Sequence, residues 1–306
     1  MADEFRAWIE KYLAHLGSER RLSRHTVVNY RRDLTALIAF CDKQGVSAWR
    51  QLDSFHIRQF AAADNRAGLA PRSIQRRLSA VRSFFRYLIR EGLLDANPAA
   101  DVPAPRGPKR LPKTLDADQM GRLLELPQTD PLAVRDWAMM ELLYSSGLRL
   151  AELVGLDIGA VDLADGTVRV TGKGNKTRVV PVGSHARTAI AKWLKQRGHL
   201  TRPSTDQALF LGARGNRISP RSVQSRVQLW ARRQGLAQSV SPHLFRHSFA
   251  SHLLESSGDL RGVQELLGHA DISSTQIYTH LDFQHLARIY DDSHPRARRR
   301  RRSDED

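Results

Sequence analysis

Tyr278, Arg246, His243 and His269 fall within one stretch of the chain, Ser241 to His280, and their types suit phosphoryl chemistry. A phenol can attack phosphorus and hold it covalently. A guanidinium neutralises phosphate oxygens with paired hydrogen bonds, and imidazoles move protons or donate to those oxygens. The stretch reads S-P-H-L-F-R-H-S-F-A and, further on, L-L-G-H-A-D-I-S-S-T-Q-I-Y-T-H. No Asp or Glu adjoins any of the four residues in sequence. Ser241-Pro242 has the form of a helix start. His243 and Arg246, three apart, then share a face near a helix N-terminus, where anions are favoured. Leu266-Leu267-Gly268 has the form of a helix end, His269 follows at once, and Tyr278 comes nine residues later. Each residue alone has a plainer reading, a solvated face for the His and Arg and a core position for the Tyr. The ordered set points to chemistry.

Two earlier segments belong with it. Gly147-Leu148-Arg149-Leu150-Ala151-Glu152 breaks one helix and starts the next, with Glu152 on the same face as Arg149 and placed to orient it. From Ile158 to Val182 the apolar period changes to two. Asp165-Gly166 signals a hairpin turn, T-V-R-V-T and T-R-V-V-P-V read as strands, and Lys173 sits at the glycine-rich tip between them.

An arginine in G-L-R-x-x-E, a hairpin lysine, H-x-x-R, L-G-H and a tyrosine, in that order, resemble the tyrosine recombinases of the phage integrase family. All six family positions are filled, by Arg149, Lys173, His243, Arg246, His269 and Tyr278, and the resemblance covers nearly the whole chain. It implies a mainly α fold with a small antiparallel β-sheet in the second domain, arranged as a two-domain DNA clamp. It implies a site-specific recombinase with Tyr278 as nucleophile and a 3′-phosphotyrosyl intermediate. Arg149 and Arg246 would hold the non-bridging oxygens and Lys173 would protonate the leaving 5′-oxygen. His243 would help deprotonate Tyr278, and His269 would donate to a phosphate oxygen. No cofactor and no metal is implied. Within the family, S-P-H-x-x-R-H-S-F-A-x-H-L-L and the ending T-H-L-D-F-Q-H-L-A-R-I-Y-D are most similar to the bacterial recombinases that resolve chromosome dimers. That branch implies double-stranded DNA, a XerD-like recombinase in a heterotetramer and a septal DNA translocase as partners. Two alternatives share part of these features: a type IB topoisomerase, and a non-cleaving DNA-binding module of the same fold.

The same stretch offers little to a zinc ion. His243 and His247 stand at i, i+4, but the glutamate of H-E-x-x-H is missing. No G-x-x-x-x-G-K-[ST] loop is present for nucleotide phosphates.

Charge supports a polyanionic partner. The 306 residues carry 48 Lys+Arg against 32 Asp+Glu, a formal net charge of +16, which points first to nucleic acid. No run of about 18 apolar residues is present, so no membrane span is expected. The first residues, M-A-D-E-F-R-A-W, lack the layout of a secretory signal. The one cysteine, Cys41, excludes an internal disulfide framework and a cysteine-based zinc site, and reads as a small buried hydrophobe. A cytoplasmic address is the expectation.

The elements that must carry the site follow from periodicity and punctuation. Residues 1–101 read as a helical, SAM-like domain that binds core DNA. Its apolar faces run through Phe5, Trp8, Ile9, Tyr12, Leu13 and Leu16, then Val27, Tyr30, Leu34, Leu37 and Ile38 behind a Ser23 cap. Asp53 caps a third helix through Phe55, Ile57 and Phe60; Pro71 opens a fourth, which Gly92 stops. Arg24, Arg31, Arg32, Arg72, Arg76, Arg77 and Arg82 are cations on these helices, and A-P-R-S-I-Q-R-R offers Arg72, Arg76 and Arg77 for a DNA groove. Residues 102–113, V-P-A-P-R-G-P-K-R-L-P-K, read as a basic, proline-rich linker. Residues 114–291 form the catalytic domain, in which Ile218-Ser219-Pro220 opens a helix carrying Arg221, Gln224 and Arg226 as a second groove candidate. Residues 292–306 are a basic C-terminal tail.

Overall fold

A computed structural model describes residues 2–20, 24–105, 107, 114–172, 177–200, 207–236, 238–257 and 263. Lys173, His269, Tyr278, the Ser23 cap, most of the linker and the tail lie outside the described residues. The chain divides into two compact units, Met1–Arg110 and Leu111–Asp306.

The first unit is helical: α1 (Ala2–Ser18), α2 (Arg24–Gln44), α3 (Ser54–Arg66) and α4 (Pro71–Arg90). The expected punctuation is in place. The Asp53 carboxylate accepts from the His56 amide at 2.9 Å, proline opens α4, and Gly92 ends it at φ 75°. The core is built on aromatic rings. Trp49, in a short 3-10 turn that local spacing does not announce, packs on Phe5 at 4.1 Å and Phe84 at 4.9 Å between ring centroids. Phe55, counted on the apolar face of α3, is instead 56% exposed.

The second unit holds α5 (Ala117–Leu124), α6 (Pro131–Ser146), α7 (Leu150–Gly155), α8 (Ser184–Arg197), α9 (Pro220–Arg233) and α10 (Pro242–Ser257). Asp116, Asp130 and Ser219 cap α5, α6 and α9 through their side chains. A three-stranded antiparallel sheet, β1 (Val161–Asp162), β2 (Thr167–Thr171) and β3 (Thr177–Pro181), interrupts the helices. Gly166, at φ 63°, makes the β1–β2 turn where the Asp-Gly pair falls. Every residue of α6 from Ala133 to Ser146 is buried. Its centre is tied by Asp136, a buried carboxylate that accepts from Arg135, Arg226 and the Trp230 ring nitrogen of α9. Its end is tied by hydroxyls: Ser145 Oγ accepts from the Gly183 amide at 2.7 Å, and Ser146 Oγ donates to the Pro181 carbonyl at 2.8 Å. These bonds fix the exit of β3 against the last turn of α6, the platform of the site.

Several cations expected on polar faces are turned to internal partners. Arg76 and Arg77 both face the fully buried Asp33, and Arg77 also pairs with Asp64. Burial pushes the Asp33 carboxyl up in spite of both guanidiniums. The Arg77 side chain is 13% exposed, and reaching a DNA groove would cost it two ion pairs. Arg82 donates to the Ala99 and Val102 carbonyls, and Arg31 pairs with Glu10. Arg32 and Arg72 are exposed. Val102, assigned to the linker by its sequence, is buried in the first core.

Candidate active site

The site begins where α6 ends. Gly147 takes the left-handed conformation, φ 56° and ψ 31°, which reverses the chain without the Cβ penalty another residue would carry. Two residues later Arg149 is the N-cap of α7. Its amide donates to Glu152 Oε2 at 2.8 Å and its Nη1 to Glu152 Oε1 at 3.0 Å. The orienting role read for Glu152 from its spacing is thus seen in the geometry. The Arg149 side chain remains 40% exposed, while that of Glu152 is 3% exposed.

Arg246 arrives from α10. The Ser241 carbonyl accepts from the Leu244 amide at 2.9 Å, so the first turn forms where Ser-Pro falls. Leu244, Phe245 and Phe249 bury one side of α10, and Ser248 Oγ accepts from the Leu115 amide at 2.9 Å. Arg246 is left half-buried, and its Nη1 donates to the Gly147 carbonyl at 2.6 Å. The fold thereby brings together two arginines almost a hundred residues apart in sequence. Burial, together with the neighbouring Arg149 and Arg178 charges, pushes the Arg246 guanidinium down to about 10, with Glu152 opposing. A cation held down by burial and by other cations sits in an environment that an anion would relieve. His243 is exposed on the first turn of the same helix, and His247 is exposed too.

Arg178 is the residue that sequence reading missed. It lies on β3, directly opposite Val170 of β2, which is 1% exposed. Nη1 donates to Glu152 Oε1 at 2.7 Å and Nη2 to Oε2 at 3.1 Å, a two-toothed grip. Burial pushes the Glu152 carboxyl up, but Arg178 and the Arg149 amide outweigh it and the net shift is downward. The alternation of β2 and β3 contains the signal: Val168, Val170 and Val180 point inward, and Arg178 shares their phase. An arginine at a core-facing strand position requires a partner.

The groove candidates are placed on two helices. Arg72 is exposed on the first turn of α4, and Arg76 is half-buried beside Asp33. Arg221 and Gln224 are exposed on α9, whereas Arg226 is held by Asp136 and lies over the Trp230 ring. Among the described residues no three His, Cys, Asp or Glu side chains gather as a metal site, and no helix is long and apolar enough to cross a membrane.

Comparison with known proteins bears on these features. The phage integrase family matches residues 113–285, and the phage integrase N-terminal SAM-like domain matches residues 9–92. The chain is 55% identical over 298 residues to tyrosine recombinase XerC of Pseudomonas syringae pv. tomato, covering 97% of this chain and 99% of that one. It is 55% identical over 291 residues to tyrosine recombinase XerC of Salmonella typhi, covering 95% and 96%. A crystal structure of the XerH site-specific recombinase on a palindromic difH substrate, a post-cleavage complex, superposes with a TM-score of 0.70. That likeness spans 92% of this chain and 83% of that one at 23% identity, and bears on the fold. With family matches to both parts of the chain and more than half its residues shared with such relatives, the chain belongs to the phage integrase family.

Proposed function

We propose that this chain is a site-specific tyrosine recombinase that cuts and rejoins double-stranded DNA through a 3′-phosphotyrosyl intermediate. The observation that carries the reading is the convergence of Arg149 and Arg246, two guanidiniums brought to one place through Gly147 and Glu152. Two such cations suit the two non-bridging oxygens of a phosphodiester, and a pentacoordinate transition state concentrates charge on those oxygens.

In this mechanism the Tyr278 oxygen attacks the scissile phosphorus and loses its proton to His243. The bond to the 5′-oxygen breaks, and Lys173 gives that oxygen a proton. His269 donates to a phosphate oxygen. The aryl phosphodiester conserves the bond energy, so a 5′-hydroxyl from a second duplex can reverse the attack and complete strand exchange.

Residues 1–101 would bind the outer part of the core site, with Arg72 and Arg76 of α4 toward the groove. The basic linker 102–113 would follow phosphates, and 114–291 would carry the catalysis and the Arg221 contact. Together they would clamp one duplex. In this reading the chain would assemble with a XerD-like recombinase as a heterotetramer in the cytoplasm and resolve chromosome dimers under a septal DNA translocase; the likeness to relatives named tyrosine recombinase XerC supports the recombinase part of it.

The test is a nicked suicide duplex carrying the organism's replication-terminus site. The wild-type chain should form a covalent protein–DNA adduct. Tyr278→Phe should bind the duplex with near wild-type affinity and form none. An adduct in the variant would place the nucleophile elsewhere, Tyr290 being the nearest tyrosine in sequence. Strand exchange between two marked duplexes separates recombination from simple relaxation of supercoils.

A further inference from the structure

Glu152 is asked to hold two arginines at once. Its Oε1 accepts from Arg149 Nη1 at 3.0 Å and Arg178 Nη1 at 2.7 Å; its Oε2 accepts from the Arg149 amide at 2.8 Å and Arg178 Nη2 at 3.1 Å. Arg178 comes from the sheet, while Arg149 and Glu152 come from the start of α7. Resting on the reading of Arg149 as a phosphate ligand, we propose that Arg178 is a positioning residue for the reaction. It acts through Glu152 to set the place of Arg149 and the net charge of the cluster around it.

Three observations support this. First, the geometry is directional. A carboxylate gripped by one fork of a guanidinium cannot rotate, so its remaining lone pairs fix where Arg149 lies. Without Arg178, Glu152 would be free to take a bidentate hold on Arg149 and draw it back from the phosphate. Second, the charge balance is set by Arg178. Arg149 and Glu152 alone form a neutral pair; Arg178 leaves that trio with one net positive charge, and Arg246 adds another. Arg178 is close enough to help push the Arg246 guanidinium down. Third, β3 places this arginine by register. Val170 is its cross-strand partner and Thr171 pairs with Thr177. Arg178 thus stands one residue past the start of the strand that follows the Lys173 connection. Its grip on Glu152 links that strand to the helix start that carries Arg149.

The experiment compares single-turnover adduct formation on a normal suicide duplex and on one with a methylphosphonate at the scissile position. A methylphosphonate lacks one negative oxygen, so it needs less cationic neutralisation in the transition state. Arg149→Ala is the control: it should be slowed on phosphate and relieved on methylphosphonate. Arg178→Ala should be slowed at least tenfold on phosphate and be relieved on methylphosphonate in the same sense, with duplex affinity within about threefold of wild type. A variant that merely loosened the fold would be slowed equally on both. Arg178→Lys keeps the charge but not the fork, and should recover only part of the rate. It also serves where Arg178→Ala melts below the assay temperature. Wild-type rates for either Arg178 variant, or equal slowing on both substrates while Arg149→Ala is relieved, would overturn the inference. No adduct with the wild-type chain, or an Arg149→Ala variant unaffected on phosphate, would instead overturn the reading of the site.

Discussion

Arg246 Nη1 donates to the carbonyl of Gly147 at 2.6 Å, so the guanidinium from α10 is seated on the turn that delivers Arg149. The bond uses the left-handed glycine both as a chain reversal and as an acceptor. It also holds a cation where its charge is disfavoured.

Arg246→Met should therefore separate stability from activity. The folded guanidinium titrates at about 10 rather than 12.5, so the charged form weakens folding at every pH below that value. Replacing a charge disfavoured by its surroundings with an apolar side chain is often neutral or stabilising by about 1 kcal/mol or more. The variant should melt at or a few degrees above the wild-type chain at pH 7, while cleavage falls by roughly a hundredfold or more. Sulfate should raise the wild-type midpoint more than that of the variant. Thermal melts with and without sulfate check this; a large loss of midpoint would mean that the Gly147 bond outweighs the charge penalty.

Glu152→Gln should show a signed pH dependence. The folded carboxyl lies below its ordinary 4.5, so its contribution is fully present above that pH and is lost as pH falls through the folded value. At pH 7 the substitution should cost about 3 kcal/mol, because two arginines lose their carboxylate. The gap between variant and wild type should close below pH 4.5. Urea unfolding at a series of pH values measures it.

Lys173→Ala should slow cleavage of normal DNA far more than cleavage of a duplex with a 5′-phosphorothiolate at the scissile bond. A sulfur leaving group needs little protonation, so a missing general acid matters less. Equal slowing of both would assign Lys173 to phosphate binding.

Arg77→Ala and Arg72→Ala should part company. Arg77 closes ion pairs with Asp33 and Asp64, and its loss should destabilise the first unit by about 3 kcal/mol. Arg72 is exposed, and its loss should leave stability within about 0.5 kcal/mol. It should reduce the salt slope of DNA binding by about one. Chemical denaturation and a salt titration of duplex affinity give the two numbers.

Cleavage should persist in a strong chelator, because paired arginines can supply the charge stabilisation that a metal would otherwise give. Loss of adduct in chelator, restored by magnesium or zinc, would refute the mechanism.

Much of the fold is legible along the chain because its signals are local. Asp53, Asp116 and Ser219 satisfy amides within their own first turns, and Asp165-Gly166 makes its own hairpin. The six expected site positions follow from motif order, and among the described residues Arg149 and Arg246 come to one place. What escaped depends on distant partners. Spacing along α4 shows Arg72, Arg76 and Arg77 as equivalent cations; only the approach of α2 and α3, with Asp33 and Asp64, tells them apart. Arg178 reads as an ordinary strand arginine until α7 supplies Glu152. Ser145 and Ser146 read as the fading end of a helix, yet they bond to the β3 exit. Charge counting likewise overstates the cations available to DNA.

The one cysteine has a practical bearing on all of this. Cys41 is buried in the first unit, and burial pushes its thiol up to about 12. Alkylating and maleimide reagents react with thiolates that solvent can reach, and at neutral pH the folded chain presents almost none. The native chain is already a silent background for site-directed labelling. A cysteine placed on the exposed faces of α4 and α9 would take a dye alone, so fluorescence could follow the two units as they meet a duplex without first removing a residue from the core.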